Sequence, residues 1–308
     1  MYFSDYLKSC REHVNLTQDE LVSELYNQDI EHFEGLDANT ISKWERAITH
    51  PKASKKVAVI KFFQTRTGLP LPCLPQTNVK GIESLICQSG VKNLTGNSKE
   101  LILAFPSESM DIEDFKVFPV RDSERIDTIL SLNMDVHKST NLDYTQVSQE
   151  QFKAWSLHPS NFFMLCEYKD SLAGLFFTLR LKPEVFEKLM HFKMKISEIS
   201  PDDFASFDEI GSNYLLSFYA LNQKIASLLF IRYYAHLIAN QTNIDQVGVL
   251  SSHSEVAKIV QNMNLKELEQ SKIQEGETIH AYQASLANIL ASEAFVNMIL
   301  TKQNCLES

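Results

Sequence analysis

The sequence predicts two domains of different class, an all-α domain at the N-terminal end and an α/β domain with a mixed sheet after it. Three observations lead there. A chain of 308 residues, 44% of them hydrophobic, is long enough for two cores. Up to residue 67 apolar residues recur at helical spacing and helix-start signals follow one another. From Phe115 onward, short runs rich in aromatic and aliphatic residues alternate with helical patterns, as in a sheet with helices packed on it. Between the two lies Gly68-Leu-Pro-Leu-Pro-Cys-Leu-Pro75, whose three prolines cannot continue a helix and push each preceding residue extended. The expected ranges are 1–67, a linker over 68–114, and 115–308.

Taken in order, Phe3, Tyr6, Leu7 and Cys10, completed by Val14, share one side of a first helix. Thr17 and Glu20 form a capping box for a second, each satisfying a backbone N–H at the helix start, with Leu16 and Leu21 placed as a hydrophobic staple. Leu21, Val22 and Leu25 supply its inner face. The pattern restarts at Leu36 and Asp37, with Asp37 as N-cap and Leu36 set against Ile41. In the helix that follows, Ile41 and Trp44 fall on one side, while Asn39, Ser42, Lys43 and Arg46, spaced i, i+3, i+4 and i+7, fall on the other. An amide, a hydroxyl, an ammonium and a guanidinium on one face match the chemistry of base edges and phosphates. Two capped helices in succession, the second with a polar open face, make a helix-turn-helix. Lys52 to Phe63 reads as a further helix, with Val57, Ile60 and Phe63 inward and lysines toward solvent or phosphate.

The segments Leu16-Thr17-Gln18-Asp19-Glu20-Leu21 and Thr40-Ile41-Ser42-Lys43-Trp44-Glu45-Arg46, with Pro51, resemble the phage-repressor (Cro/C1, or XRE) helix-turn-helix family. The resemblance implies a transcription regulator that reads a double-stranded DNA operator, commonly as a homodimer on two half-sites. It places Asn39 and Lys43 on bases, and Gln18, Thr40, Ser42 and Arg46 on phosphates or adjacent bases. Lys52, Lys55 and Lys56 extend the phosphate contacts. Two departures stand out. The short turn is expanded by Tyr26 to Glu34, which either extends the second helix or forms a projecting lobe, and the glycine usual after Trp-Glu-Arg is Ala47. The insertion carries Asp29, Glu31 and Glu34 with Ile30 and Phe33 interleaved, and such an acidic segment belongs away from phosphate.

Charge supports a local reading over a global one. The net charge is −10, which argues against a protein that coats nucleic acid. From Leu36 to Arg66, however, seven basic residues face two acidic ones, Asp37 and Glu45. A positive patch on an acidic chain suits a site-specific binder. The five cysteines, Cys10, Cys73, Cys87, Cys166 and Cys305, lack CxxC spacing and are odd in number, which fits free thiols in a reducing cytoplasm. The start, Met1 to Lys8, lacks the basic and apolar segments of a secretion signal. Leu286 to Leu300 is too short and too interrupted to span a membrane. The nine histidines show no metal-ligand spacing, so no metal is expected.

In the linker, Ile82 to Cys87 and Lys99 to Phe105 suit short helices, and Ser107 to Asp114 an acidic turn. Beyond it, Lys116 to Arg121 reads as a strand, followed by a helix through Ile126, Ile129, Leu130 and Leu132. Phe162 to Tyr168 and Leu172 to Leu181 are strands joined as a hairpin at Lys169-Asp170-Ser171. Tyr214 to Ala220 is a strand, Ile225 to Ala239 a central helix, Val247 to Leu250 a strand, Glu255 to Met263 a helix, and Thr278 to Gln283 a last strand. The aromatic group Phe176, Phe177, Phe218, Tyr219, Phe230, Tyr233 and Tyr234 suits an ordinary core, with a minority left to line a pocket. Leu286 to Leu300 leaves little polar circumference and must be covered, either by its own domain or, as we favour, by a second subunit.

This order, with Arg121-Asp122 opening, Leu172-Ala-Gly174 in the hairpin and Lys224-Ile-Ala-Ser-Leu-Leu229 after the fourth strand, is similar to the GCN5-related N-acetyltransferase (GNAT) superfamily. The resemblance implies acetyl-CoA as cofactor, its pyrophosphate held by backbone N–H groups at Lys224, Ile225, Ala226 and Ser227. The chain departs from that motif. Its first position is Leu221, the glycine position is Lys224, and only Ala226 conforms. Val260 stands where the general-acid tyrosine of the family falls, with Asn264-Leu265 for Gly-Phe, and valine donates no proton. Glu209, Asp208 and His253 remain as candidate bases, better read as loop residues, and no catalytic residue is assigned. Ser252-His253-Ser254 are neighbours in sequence and form no triad by that fact. The leading expectation is a cytoplasmic DNA-binding regulator whose second domain senses a small-molecule or protein effector, or assembles subunits, without a cofactor. One alternative is an N-acetyltransferase targeted to, or autoregulated through, DNA. Another is an antitoxin or phage-type switch that docks a protein on Tyr26 to Glu34.

Overall fold

The computed structural model describes residues 1–74, 78–86, 91, 114–124, 126–131, 147–274 and 276–300. The chain forms two compact units, one of Met1–Leu94, Tyr234–Thr242 and Leu286–Ser308, the other of Thr95–Tyr233 and Asn243–Ser285. The C-terminal helices thus group with the N-terminal segment rather than with the sheet. Expectations for Cys87, Lys99 to Phe105 and Leu132 lie outside the described residues.

The first unit holds α1 (Phe3–His13), α2 (Gln18–Gln28), α3 (Ile30–Phe33), α4 (Ala38–Glu45), α5 (Ala53–Thr67) and α6 (Val79–Leu85). Local chemistry sets their ends. Thr17 Oγ1 accepts from Glu20 N at 3.2 Å while Thr17 N donates to Glu20 at 2.7 Å, so both groups of the box are in place at the start of α2. Asp37 accepts from Thr40 N at 2.6 Å and starts α4. The insertion both lengthens α2 to Gln28 and adds α3, capped by Asp29, with Phe33 buried and Tyr26 and Ile30 exposed. At the end of α4, Ile48 N reaches Lys43 O and Ala47 N reaches Trp44 O, a Schellman motif that puts Ala47 at φ 54°. Phe3, Tyr6, Leu7, Leu21, Leu25, Ile41 and Trp44 are all buried, and Phe3 meets Trp44 edge-on at 6.5 Å.

Helix α5 buries Ala58, Val59, Ile60, Phe62 and Phe63, wider than one apolar stripe. Its second side is covered from the far end of the chain. The expected single helix over Leu286 to Leu300 is instead α11 (Leu286–Leu290) and α12 (Glu293–Ile299), broken where Ser292 accepts from Phe295 N at 3.1 Å. Gln64 Nε2 of α5 donates to Ala287 O at 2.8 Å, and Phe295 stacks on Tyr234 at 5.6 Å. The apolar C-terminal helices therefore pack on their own chain and not, as expected, on a second subunit.

The second unit is a mixed seven-stranded sheet of order β1-β2-β3-β4-β5-β7-β6. The strands are β1 (Phe115–Pro119), β2 (Phe162–Tyr168), β3 (Ser171–Leu181), β4 (Gly211–Ala220), β5 (Ile244–Ser251), β6 (Lys266–Gln274) and β7 (Glu277–Ser285). All neighbours are antiparallel except β4 and β5. Lys169 and Asp170, both at positive φ, make the two-residue turn between β2 and β3, whose twist matches that of the strands. Alternation then sorts the aromatics to two faces. Phe163 stacks on Phe177 at 4.2 Å beneath α7 (Gln149–Leu157) and α8 (Pro183–Met190). On the reverse face Phe176 meets Phe230 and Tyr233 of α9 (Gln223–Ala239) at 5.3 and 4.5 Å. Two glycines allow the helices to lie close. A Cβ on Gly174 would come within 2.7 Å of Ile225, and one on Gly248 within 2.8 Å of Phe186. The aromatic group is thus mostly core. Helix α10 (Ser254–Asn262) connects β5 to β6. Among the described residues no helix is long and apolar enough to cross a membrane.

Candidate functional site

On the first unit, α4 turns one side in and the other out. Ile41 and Trp44 are 0% and 5% exposed, while Asn39 and Arg46 are open to solvent and Thr40, Ser42 and Lys43 half-open. The seating of α4 rests on a network that its sequence pattern does not announce. Arg11 of α1 donates to both oxygens of Glu45 at 2.6 and 3.2 Å and to Leu16 O at 2.9 Å, and Gln18 Nε2 donates to Glu45 at 2.8 Å. The side chains of Arg11 and Glu45 are 14% and 6% exposed. A nearly buried, bidentate pair of this kind fixes direction as well as distance. It ties the end of α4 to α1 and to the first turn of α2. Gln18, expected at phosphate, spends its amide on this network.

The lysines divide. Lys52 is exposed at the start of α5 and Lys55 half-exposed. Lys56 faces the other way, its Nζ donating to Leu300 O at 3.2 Å and lying 5.6 Å from the Phe3 ring, with burial pushing its pKa down. An ammonium so engaged serves packing rather than phosphate, contrary to the expectation for this residue.

On the second unit, the parallel pair β4 and β5 is in register at Gly211 with Ile244, Asn213 with Val247 and Tyr214 with Gly248. Beyond these residues the strands run on to Ala220 and Ser251 with no further pairing to each other among the described residues, so they part toward their carboxyl ends. Open α/β sheets bind ligands outside such ends. Helix α9 begins there, and its first amides could in principle hold an anion. They are taken. Asn222 Oδ1 accepts from Lys224 N and from Ile225 N, each at 3.0 Å. The Lys224 ammonium lies 5.5 Å from the Phe115 ring, Ile225 and Ala226 are fully buried, and Ser227 Oγ donates to Gln223 O at 2.8 Å.

These residues do not fit the pyrophosphate of acetyl-CoA. A side-chain oxygen already occupies the amides, and position 224 carries a lysine where backbone must come close. Nor is there a proton donor at the position of the expected tyrosine, since Val260 is buried in α10. The candidate bases are spent locally. The Ser206 hydroxyl lies 2.6 Å from Asp208 and lowers its pKa, while the Ser206 backbone N–H, donating to Glu209 at 2.9 Å, and then the same hydroxyl, also at 2.9 Å, lower that of Glu209. Ser252 Oγ points to Glu277 at 2.7 Å rather than to His253. Cys166 is buried in β2, its thiol pushed up to about 12 by burial, as packing requires. Among the described residues no group of histidines, cysteines and carboxylates is placed to hold a metal.

No protein-family model matches the chain, and no curated protein matches it. Among solved structures it is similar to FeeM, an N-acyl amino acid synthase from uncultured soil microbes, at 9% identity over 58% of this chain and 93% of that one, with a TM-score of 0.39. It is similar to an agmatine N-acetyltransferase at 9% identity, over 56% and 99%, with a TM-score of 0.40. The AHL synthase LasI matches at 15% identity, over 62% and 98%, with a TM-score of 0.37. None of these likenesses bears on the chemistry of the site.

Proposed function

We propose that the chain is a sequence-specific DNA-binding transcription regulator, with α2 and α4 as its helix-turn-helix and an acetyltransferase-like α/β unit used for sensing or assembly. The observation that carries this reading is the seating of α4. Its apolar side is buried, its end is locked by Arg11 and Glu45, and Asn39, Lys43 and Arg46 are left on the open side. That is the arrangement a helix needs to enter a major groove in one orientation. Asn39 and Lys43 are assigned to bases, and Thr40, Ser42, Arg46, Lys52 and Lys55 to phosphates or flanking bases. Selection from random duplex DNA followed by anisotropy titration tests it. Lys43→Ala is expected to weaken the selected site by about 1–3 kcal/mol and to relax preference, whereas Lys52→Ala weakens all duplexes alike. Failure to enrich any sequence, or unaltered discrimination in both Asn39→Ala and Lys43→Ala, would remove the reading.

A second reading, an N-acetyltransferase acting with a DNA-binding segment, draws on the parting of β4 and β5. The occupied amides at Lys224 and Ile225 weigh against it. Calorimetric titration with acetyl-CoA decides between them. We expect no saturable heat at millimolar ligand, and micromolar binding would favour the enzyme.

A further inference from the structure

The segment that follows α8 lines an open-sided cavity of about 350 Å³ within the second unit, at the small end of the ~300–1,000 Å³ usual for small-molecule sites. Its floor is one face of the sheet. Leu250 of β5 and Ile279 of β7 line it, and Lys272 of β6, directly paired with Ile279, shares that face. The wall is Phe192, half-buried against the core cluster and held at φ 56° at the C-terminal end of α8. Glycine is the usual occupant of this left-handed helix-end position, and here the position carries an aromatic ring. The rim carries Lys193 and Lys195, both exposed. The one carboxylate in the lining, Glu198, accepts the backbone N–H of Lys195 at 2.8 Å, so part of its capacity is used within the turn. The two exposed ammonium groups of Lys193 and Lys195 thus stand at the rim of an apolar floor, with Glu198 as the acid of the lining. Gln274 also lines the cavity.

We propose that this cavity is a binding site for a small organic carboxylate with an apolar body. The body lies on Leu250 and Ile279 beside Phe192, and the carboxylate meets the ammonium groups of Lys193 and Lys195 at the rim. The inference deepens the sensing role proposed for the α/β unit and rests on that reading only for its consequence at DNA. Binding is therefore tested without DNA.

The experiment is calorimetry on the full chain with 3-phenylpropanoate and octanoate, each paired with its uncharged primary amide. Both carboxylates are expected to bind saturably, and the amides about tenfold or more weaker, because they lose the charge-assisted contacts. The double variant Lys193→Glu/Lys195→Glu, at exposed positions, is expected to bind the carboxylates at least about tenfold weaker with its melting temperature unchanged. Met194→Trp, which places bulk in the lining, is expected to abolish binding of amide and acid alike. Absence of saturable binding by either carboxylate overturns the proposal. So do equal affinities for acid and amide, or native affinity in the charge-reversed variant. If the carboxylates bind as expected but leave operator affinity unaltered, the site stands and the regulator's sensing role falls.

Discussion

At the scale of single residues, a backbone conformation and a charge pair bear on α4. Ala47 sits at φ 54° in the motif that closes α4, where a Cβ is strained and glycine is not. Ala47→Gly is expected to stabilise the first unit by about 1 kcal/mol, read as a higher urea midpoint with an unchanged slope. A lower midpoint would show that the methyl group contributes more than the backbone costs. Glu45 and Arg11 present the opposite case. Removing one partner leaves a charge in a place with little water, so Glu45→Leu or Arg11→Met is expected to cost about 3–5 kcal/mol, and the double replacement less than either alone. Strictly additive losses would mean that the pair is not coupled.

At the scale of elements, helix starts determine how the first unit responds to acid. The backbone and side-chain hydrogen bonds of Thr17 lower the Glu20 pKa from its ordinary 4.5, and those of Thr40 lower that of Asp37 from 3.8. A carboxyl with a depressed folded pKa contributes stability that is present above its unfolded pKa and lost as pH falls through its folded one. Melting temperature is therefore expected to decline as pH drops below about 4.5. Glu20→Gln should melt lower than the native chain at pH 7 and converge with it in acid, as followed by circular dichroism. A difference that persists at low pH would place the effect elsewhere. These caps were readable in sequence because each lies within four residues of its partner. The ion pair was not, since Arg11 and Glu45 are 34 positions apart and nothing local couples them. The same contrast holds in the sheet. β2 and β3 declare themselves as apolar runs, whereas β6, Lys266 to Gln274, carries charges along an outer edge and has no such run. α8 and the turn after it, which line the cavity, have no counterpart in the sequence analysis, and Pro183 stands at the first turn of that helix, where its missing N–H leaves no bond unmade.

At the scale of the whole chain, the helices after Ser285 belong to the same compact unit as the first helices, which makes the N-terminal segment dependent on residues more than two hundred positions away. Sequence could show that Leu286 to Leu300 had to be covered, but not by what, since an apolar surface does not name its partner. The side chains of Phe295, Val296, Met298 and Ile299 are almost wholly withdrawn from water. Burying a large apolar side chain contributes about 1.5–3 kcal/mol. Ending the chain at Ser285 should therefore uncover part of α5 and lower the stability of the helices that carry Asn39 and Lys43. The chain has two tryptophans, so in a Trp155→Phe background the buried Trp44 reports on this unit alone. Its emission is expected to shift to the red at a lower temperature in the truncated chain, with operator affinity falling in step as the folded fraction drops. Coincident melting of truncated and full-length chains would show that residues 1–67 hold their fold unaided and that the C-terminal cover is there for some other purpose.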